Sequence, residues 1–168
     1  MKVILYMAIS ANGMIAKSND DTSWISKEEW VSYSAAIRTA GCLIVGHRTY
    51  NILSKQPEFS ELKDVKLVVV SRKDVEVISQ DHAVARSPQE ALEILKDFAT
   101  VMVAGGGLLN SSFLKKNLID EIYLDIEPII LEDGIKLFEK NNVSLNLELL
   151  GTKAISKNEI QLYYKVIK

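Results

Sequence analysis

Five short apolar runs that alternate with helical patterns constrain the fold of this chain more than any other feature. The runs are Val3–Ile9, Cys42–Val45, Lys66–Val70, Thr100–Ala104 and Glu121–Ile126. Each is bounded by Gly, Ser, Asn or charged residues, as strands buried on both faces of a parallel sheet are. After Pro128, Leu145–Leu150 and Ile160–Ile167 alternate apolar and polar residues, which predicts an antiparallel pair. We therefore expect an α/β fold with a mostly parallel central sheet, flanking helices and antiparallel C-terminal strands, in one domain over residues 1–168.

Helix starts are marked by local capping signals. Ser26 opens a helix that continues to about Ala40, and Glu29 stands where a capping box would place it. Ser87-Pro88 marks a second start, with proline at the first helical position. Shorter helices are expected over roughly Arg48–Ser54 and Leu108–Asn117.

Composition excludes several classes of function. The net charge of −2 gives no basic field for nucleic acid or for an anionic membrane. One cysteine and two histidines cannot assemble a zinc site, so no metal is expected. Cys42 has no partner for an internal disulfide, which suits a reducing cytoplasm. The apolar run Val3–Ile9 is short for a signal peptide and is expected to be a buried strand, and nothing approaches the ~20 apolar residues of a membrane span.

A glycine triplet links the fourth apolar run to the helix that follows it. Gly105-Gly106-Gly107 leaves backbone N–H groups bare at the positive end of a helix, where a phosphate can approach. The spacing is neither that of the dinucleotide fingerprint nor that of a P-loop. A tight turn with close strand–helix packing explains the triplet equally well, so both interpretations stay open.

Basic residues follow two other predicted strands, and ligands of open α/β sheets bind beyond the carboxyl ends of the strands. His47 and Arg48 open a predicted helix, where a cation costs roughly 0.3–1 kcal/mol that a bound anion would offset. Ser71-Arg72-Lys73 stands where a fold specific for NADH would carry an acidic residue, which favours a 2′-phosphate and hence NADPH. The alternative for each of these basic segments is that its charges are ordinary solvated surface residues.

The chain lacks the residues of several other chemistries. It has no GxSxG nucleophile elbow and no deaminase zinc motif, whereas hydride transfer needs neither because the cofactor carries the reaction. Glu28, Glu29, Asp125 and Glu127 are candidates for supplying a proton. Glu29 is either that acid or only part of a helix cap, and Asp125 is either functional or a structural hydrogen-bond partner. Trp24 either lines the binding site of a ring-shaped substrate or is an ordinary residue of the hydrophobic core.

The order of these motifs resembles the dihydrofolate reductase-like superfamily, and within it the stand-alone reductases related to the C-terminal reductase domain of the bifunctional riboflavin-pathway deaminase-reductase. The resemblance covers nearly the whole chain. The matching segments are Leu5–Ala16, Ile44–Tyr50, Val70–Arg72, Arg86–Ser87, Val103–Gly107, Asp120–Pro128 and Gly134–Phe138. Asn51–Pro57 lacks the Asn-Pro segment that riboflavin-type reductases usually carry, so the substrate stays open between pterin-like and pyrimidine-like molecules.

This resemblance implies an NADPH-dependent oxidoreductase that transfers a hydride to a pterin- or pyrimidine-like small molecule, with Glu29 and Asp125 as catalytic residues. The expected cofactor contacts are Ala8, Ile15, Ala16, Gly46, His47, Arg48, Thr49, Ser71, Arg72, Lys73, Arg86, Ala104, Gly105, Gly106, Gly107, Leu108 and Leu109. The expected substrate contacts are Ala8, Trp24, Glu29 and Ile52. Family members are often homodimers, which we expect here too. A nucleotide-binding module without turnover is the main alternative, and a non-nucleotide interaction domain is a third.

Overall fold

The computed structural model describes residues 1–140 and 142–168, and within them it contains one large sheet and one short ribbon. The strands are β1 (Lys2–Ser10), β2 (Met14–Ala16), β3 (Cys42–Gly46), β4 (Lys66–Val70), β5 (His82–Ala85), β6 (Thr100–Val103), β7 (Glu121–Glu127), β8 (Ile135–Lys136), β9 (Leu147–Ala154) and β10 (Ile160–Val166). The helices are α1 (Lys27–Ala40), α2 (His47–Leu53), α3 (Pro88–Ile94) and α4 (Gly107–Lys115), with a 3-10 helix over Pro57–Leu62.

The large sheet has the strand order β5-β4-β3-β6-β1-β7-β10-β9. The strands from β5 to β7 in this order are parallel, whereas β10 runs antiparallel to both β7 and β9. The predicted mostly parallel sheet with antiparallel C-terminal strands is thereby confirmed. Six parallel strands end at the same edge of the sheet, which brings their following loops together.

Helices cover both faces of the parallel part of the sheet, and the strands are apolar on both sides as a result. On β1, Val3 and Leu5 face the layer of α3 and α4, where Phe113 is fully buried. Ile4 and Tyr6 face the layer of α1 and α2, together with Ile37 and Tyr50. These alternating contacts explain why the parallel strands read as continuous apolar runs in the sequence.

Two of the helices begin at the predicted caps. The hydroxyl of Ser26 accepts a hydrogen bond from the backbone N–H of Glu29, and that of Ser87 accepts one from Glu90. In the described part of the chain, no helix is both long and apolar enough to cross a bilayer.

Three short strands were not predicted, namely β2, β5 and β8. Each has two to four residues, too few for a period to show. The edge strand β9 lies further along the chain than the predicted Leu145–Leu150, because its second half, with Thr152 and Lys153, is polar and exposed on both faces. α4 ends at Lys115, two residues earlier than expected, and Asn117 beyond it adopts a positive φ of 54°.

Candidate functional site

The glycine junction lies where β3 and β6 end side by side. The backbone N–H of Gly46 donates to the carbonyl of Gly105 over 2.8 Å, and that of Ala104 donates to Ile44 over 3.0 Å. Gly106 is the N-cap of α4, and no side chain forms a cap hydrogen bond there. The first N–H groups of a nine-residue helix are therefore left for another acceptor.

The three glycines meet two different requirements. Gly105 has a φ of +78°, a conformation that side chains rarely adopt, and a Cβ at Gly106 would lie 3.4 Å from Oγ1 of Thr49. Gly107 instead packs against the chain at β8, since a Cβ there would overlap the carbonyl oxygen of Lys136. Close packing therefore explains Gly107 and applies at Gly105 too, where a Cβ would lie 3.1 Å from Cε of Met7. Neither Gly105 nor Gly106 places a side chain before its backbone at the sheet edge.

Arg48 stands in the first turn of α2, directly after β3, but it has a protein partner. Its Nε lies 2.6 Å from Oδ2 of Asp20, in the loop between β2 and α1. The arginine is nevertheless well exposed, so this ion pair lies in solvent and is a weak one. His47 beside it is half-buried, and Thr49 faces the glycine junction.

Arg86, which follows the neighbouring strand β5, forms hydrogen bonds that hold the loop after β4. Its guanidinium donates to the carbonyls of Ser71 and Lys73 and pairs with Asp74. The hydroxyl of Ser71 is used within the same loop, since it accepts from the N–H of Lys73 over 3.1 Å. Among the described residues, the exposed side chains of Arg72 and Lys73 form no ion pair.

The apolar residues expected beside the cofactor are mostly buried. Ala8, Ala104 and Leu109 are 4–7% exposed, whereas Leu108 is 55% exposed. Ile15 and Ala16 are buried in β2, which pairs with β8 in the two-stranded ribbon. The preceding turn is held by Ser10, whose hydroxyl accepts from the N–H of Met14 over 2.9 Å.

A buried polar network lies on the α1 face of β1, β7 and β10. Oη of Tyr6 donates to Oδ2 of Asp125 over 2.7 Å. Nε2 of Gln161 lies 2.5 Å from Oδ1 of Asp125 and 2.7 Å from Oη of Tyr6. Burial raises the pKa of Asp125 to about 6, although the hydrogen bonds from Tyr6 and Gln161 act against that rise. Both oxygens of Asp125 are thus satisfied, as a structural partner requires.

Glu29 is not the second half of a capping box. Ser26 does accept from the N–H of Glu29, but its own N–H donates to Oε1 of Glu127 over 2.8 Å, so the expected reciprocal bond is absent. Glu29 is only 5% exposed, and no described residue forms a hydrogen bond to its carboxyl group. Burial, reinforced by Asp125, Glu127 and Glu159, raises the pKa of Glu29 well above its ordinary value. The carboxyl group of Glu29 therefore keeps its proton to a higher pH than an exposed glutamate does.

Glu127 and Glu159 form a second acidic feature next to Glu29. Ile160 pairs with Ile126, so Glu159 falls opposite Glu127 at the end of the ladder. Burial and the neighbouring Glu159 carboxyl, which is within hydrogen-bonding reach, raise the pKa of Glu127. The two side chains are 3% and 9% exposed, and Oε2 of Glu159 has no hydrogen-bond partner.

The predicted substrate residues come from β1, the segment before α1, α1 itself and α2. Ala8 pairs with Asp125 across β1 and β7, and Glu29 lies within electrostatic range of Asp125. Trp24 is half-buried just before α1, and its Nε1 donates to the carbonyl of Asp21 over 3.1 Å. Ile52 is half-buried in α2, a helix that contacts β3 and β4. The structure therefore brings together Ala8, Glu29 and Asp125.

Three residues of this region were not anticipated, namely Tyr6, Gln161 and Glu159. Asp125 lies 119 residues from Tyr6 and 36 from Gln161, and the pairing of β1 and β10 with β7 brings them together. Glu159 meets Glu127 through the same pairing of β10 with β7. The described residues contain no group of three or more His, Cys, Asp or Glu side chains arranged to hold a metal ion.

The sequence profile of the RibD C-terminal domain family matches residues 1–161. The chain belongs to this family. It is 29% identical over 171 residues to the uncharacterized protein YwjB of Bacillus subtilis (strain 168), and the match covers 97% of each protein.

Solved structures show the same fold at low sequence identity. A diaminohydroxyphosphoribosylaminopyrimidine deaminase/5-amino-6-(5-phosphoribosylamino)uracil reductase from Thermotoga maritima matches 99% of this chain and 56% of its own, with a TM-score of 0.72 and 16% identity. Dihydrofolate reductase from Enterococcus faecalis, complexed with NADP(H) and RAB-propyl, matches 99% and 97%, with a TM-score of 0.76 and 14% identity. The family match confirms the predicted resemblance to the riboflavin-pathway reductase domain, and these neighbours, which are named as reductases, confirm the dihydrofolate reductase-like fold.

Proposed function

We propose that this chain is an NADPH-dependent oxidoreductase that transfers a hydride to a pterin- or pyrimidine-like small molecule. The observation that carries the proposal is the carboxyl group of Glu29, which receives no hydrogen bond from the described residues on a side chain only 5% exposed, in a fold whose sheet edge also carries the glycine junction. A proton source and an anion-binding edge thus lie in one fold, and the reductases with this fold supply the precedent.

The residues at the carboxyl edge fit a phosphorylated dinucleotide. The N-terminus of α4 has no side-chain cap, and Gly105 and Gly106 place no side chain before it. Arg72 and Lys73 extend from the neighbouring tip, and Arg48 stands between the two positions. These groups would hold the phosphates, with Arg72 and Lys73 at the 2′-phosphate.

When bound, NADPH supplies the hydride. The protein's contribution is to orient the substrate ring, to exclude water and to move one proton. Burial and the surrounding carboxyl groups favour the protonated form of Glu29, so in this proposal it donates its proton as a substrate C=N bond is reduced. Asp125 is engaged on both oxygens, and in this proposal it positions the site through Tyr6 and Gln161.

Turnover separates this proposal from the nucleotide-binding module. Oxidation of NADPH, followed by its absorbance with dihydropterins and aminopyrimidines, is expected for at least one substrate. Glu29→Gln is expected to lower kcat by roughly 10²–10⁴-fold and to leave NADPH affinity unchanged. Tight NADPH binding with no oxidation across the panel would favour the module, and no NADPH binding at all would favour an interaction domain.

The preference for NADPH over NADH tests the proposed cofactor-binding role of the basic residues that follow β3 and β4. The double substitution Arg48→Ala with Arg72→Ala should weaken NADPH binding much more than NADH binding, because only NADPH carries the 2′-phosphate. Equal losses for both cofactors would contradict the assignment. Lys63→Ala, which changes an exposed lysine far from these tips after the 3-10 helix, is the matched control.

We also propose that residues 1–168 act as one reductase-like domain that forms a homodimer. The large sheet runs through both ends of the chain, and its edge strand β9 leaves Leu147 and Leu149 39% and 55% exposed. Sedimentation should give twice the mass of the chain, and Leu149→Lys should shift it towards the monomer. Unfolding in one coincident transition would support the single domain. The cytoplasmic location stays a prediction.

A further inference from the structure

The buried hydroxyl group of Tyr50 connects α2 to residues 71–81, the segment between β4 and β5. Oη of Tyr50 accepts a hydrogen bond from the backbone N–H of Ile78 over 2.9 Å. The same oxygen lies 2.9 Å from Nδ1 of His82, the first residue of β5. The side chain of Tyr50 is only 1% exposed, so this small network is closed to solvent on the α2 side. The segment also carries the basic residues that the proposed function assigns to the 2′-phosphate.

The segment is held at both ends and has no regular structure between them. Arg86 holds its start through the backbone carbonyls that it contacts, and Tyr50 holds its far end. In between, Val75 and Val77 are half-buried against the layer of α1 and α2. The described residues 74–78 form no helix or strand. The position of the segment therefore depends on these two anchors, as is usual for a segment with few contacts of its own.

The hydroxyl group of Tyr50 has one hydrogen, which fixes the direction of its bond to His82. The backbone N–H of Ile78 already donates to the oxygen, so Nδ1 of His82 is the acceptor that the described structure offers to the hydroxyl hydrogen. A neutral imidazole accepts at Nδ1 when its proton is on Nε2. A protonated imidazole carries hydrogens on both nitrogens, and the buried hydroxyl hydrogen would then lose its acceptor. The network therefore requires neutral His82.

The surroundings of His82 favour the neutral form. The rings of Tyr50 in α2 and Phe59 in the 3-10 helix lie edge to face with the imidazole, with centroids 5.7 and 5.9 Å from it. Burial lowers the pKa of His82, and Lys66 of β4 acts in the same direction, whereas Asp81 beside the histidine acts against them. A solvated imidazole takes up a proton more readily, so release of His82 from the network becomes more favourable as the pH falls below about 6.5.

We propose that Tyr50 and His82 are positioning residues for the cofactor. While His82 is neutral, the Tyr50–His82 pair holds the segment 71–81 and thereby places Arg72 and Lys73; when His82 takes up a proton, the segment is released. This inference rests on the proposed function, in which those two basic side chains meet the 2′-phosphate. It follows that acid weakens the binding of the 2′-phosphorylated cofactor through a residue that does not touch it.

Nuclear magnetic resonance on the full chain, without cofactor, tests the holding step. The imidazole signals of His82 report its protonation, and the heteronuclear NOE of amides 74–79 reports the order of the segment on the picosecond to nanosecond timescale. We expect the NOE to fall between pH 7.5 and pH 5.0 with the midpoint of the His82 titration. In His82→Asn, whose Oδ1 can replace Nδ1 as the acceptor and does not titrate, the NOE should stay unchanged over that range.

Calorimetry with NADP⁺ and NAD⁺, the forms that are stable in acid, tests the cofactor step. A phosphate monoester itself takes up a proton near pH 6, so variants are compared with the parent at each pH. From pH 7.5 to pH 5.0, the parent should lose at least fivefold more NADP⁺ affinity than His82→Asn loses.

A second variant removes the pair without a change of charge. Tyr50→Phe keeps the ring and loses both hydrogen bonds, so at pH 7.5 it should bind NADP⁺ at least fivefold more weakly than the parent, with less than a twofold change for NAD⁺. Tyr164→Phe, in β10 near the opposite edge of the sheet, is the matched control and should change neither affinity. Circular dichroism checks that each variant folds, and the NOE titration of the parent needs no variant.

A segment that stays ordered while His82 titrates, or that loses order equally in His82→Asn, would overturn the inference. So would equal losses of NADP⁺ affinity in the parent and in His82→Asn, or an unchanged NADP⁺ affinity in folded Tyr50→Phe. Failure of the proposed function shows differently, because the parent would then bind no NADP⁺ at pH 7.5. That result would also remove the cofactor role of the pair, whereas the NOE titration would still show whether the pair holds the segment.

Discussion

Replacing Asp125 with Asn is expected to change how the stability of the protein depends on pH. Burial raises the pKa of Asp125 from 3.8 to about 6, so the folded state keeps a proton that the unfolded chain releases in that range. Stability is therefore lost as pH rises from about 4 to about 6. At ~1.36 kcal/mol for each pH unit, the full displacement corresponds to about 3 kcal/mol.

Asp125→Asn removes this titration and keeps the shape of the side chain. Its amide can still accept from Tyr6, and the amide of Gln161 can turn to present its oxygen. The unfolding free energies of the variant and the parent are measured with urea and tryptophan fluorescence from pH 4 to pH 8. The difference between them, variant minus parent, should increase by about 2–3 kcal/mol over that range. Asp97→Asn, at an exposed aspartate after α3, should show no such gain.

A free-energy difference between the Asp125→Asn variant and the parent that stays constant with pH would refute this reasoning. So would a difference that falls as pH rises, because Asp125 would then be ionised more easily in the folded protein than in the unfolded chain. Either result would mean that the hydrogen bonds from Tyr6 and Gln161 outweigh burial at this site.

Three further substitutions test local features. Glu29→Gln should be close to the parent in stability at pH 4 and more stable than the parent at pH 8, because burial and nearby carboxyl groups raise the pKa of Glu29. Urea unfolding midpoints at the two pH values measure the difference, and an equal effect at both would contradict this expectation. Gly107→Ala should lose roughly 1–3 kcal/mol through overlap at Lys136, whereas Gly151→Ala has open space, and thermal melting compares them. Ser26→Ala should cost about 1 kcal/mol by loss of the α1 cap, measured by urea unfolding, and a neutral result would show that Glu127 alone anchors the helix start.

Features that depend on neighbours in the chain could be predicted from the sequence. The strand Lys66–Val70 has the bounds given by its apolar run, and Ser26 and Ser87 cap α1 and α3 as their local patterns indicate. The order of the glycine and basic motifs gave the family. The short strands β2, β5 and β8 could not be predicted, because two to four residues are too few to show an alternation of apolar and polar residues.

The contacts of the candidate site depend instead on register. Ser26 and Glu127 are 101 residues apart, and a shift of one residue in the pairing of β10 on β7 would turn Gln161 away from Asp125. No local spacing encodes that register. The capping box at Ser26 and Glu29 was half wrong for the same reason, since the competing acceptor comes from a distant strand.

The close contacts at Gly107 and Gly134 have a practical consequence for anyone who wishes to engineer binding sites into this fold. Any side chain at Gly107 meets the main chain at Lys136, and any side chain at Gly134 meets the main chain at Ala16. Because backbone cannot swing aside as a side chain can, randomising either position would fill a combinatorial library with misfolded members. Diversity is better placed at exposed positions such as Leu108, where new side chains extend into solvent.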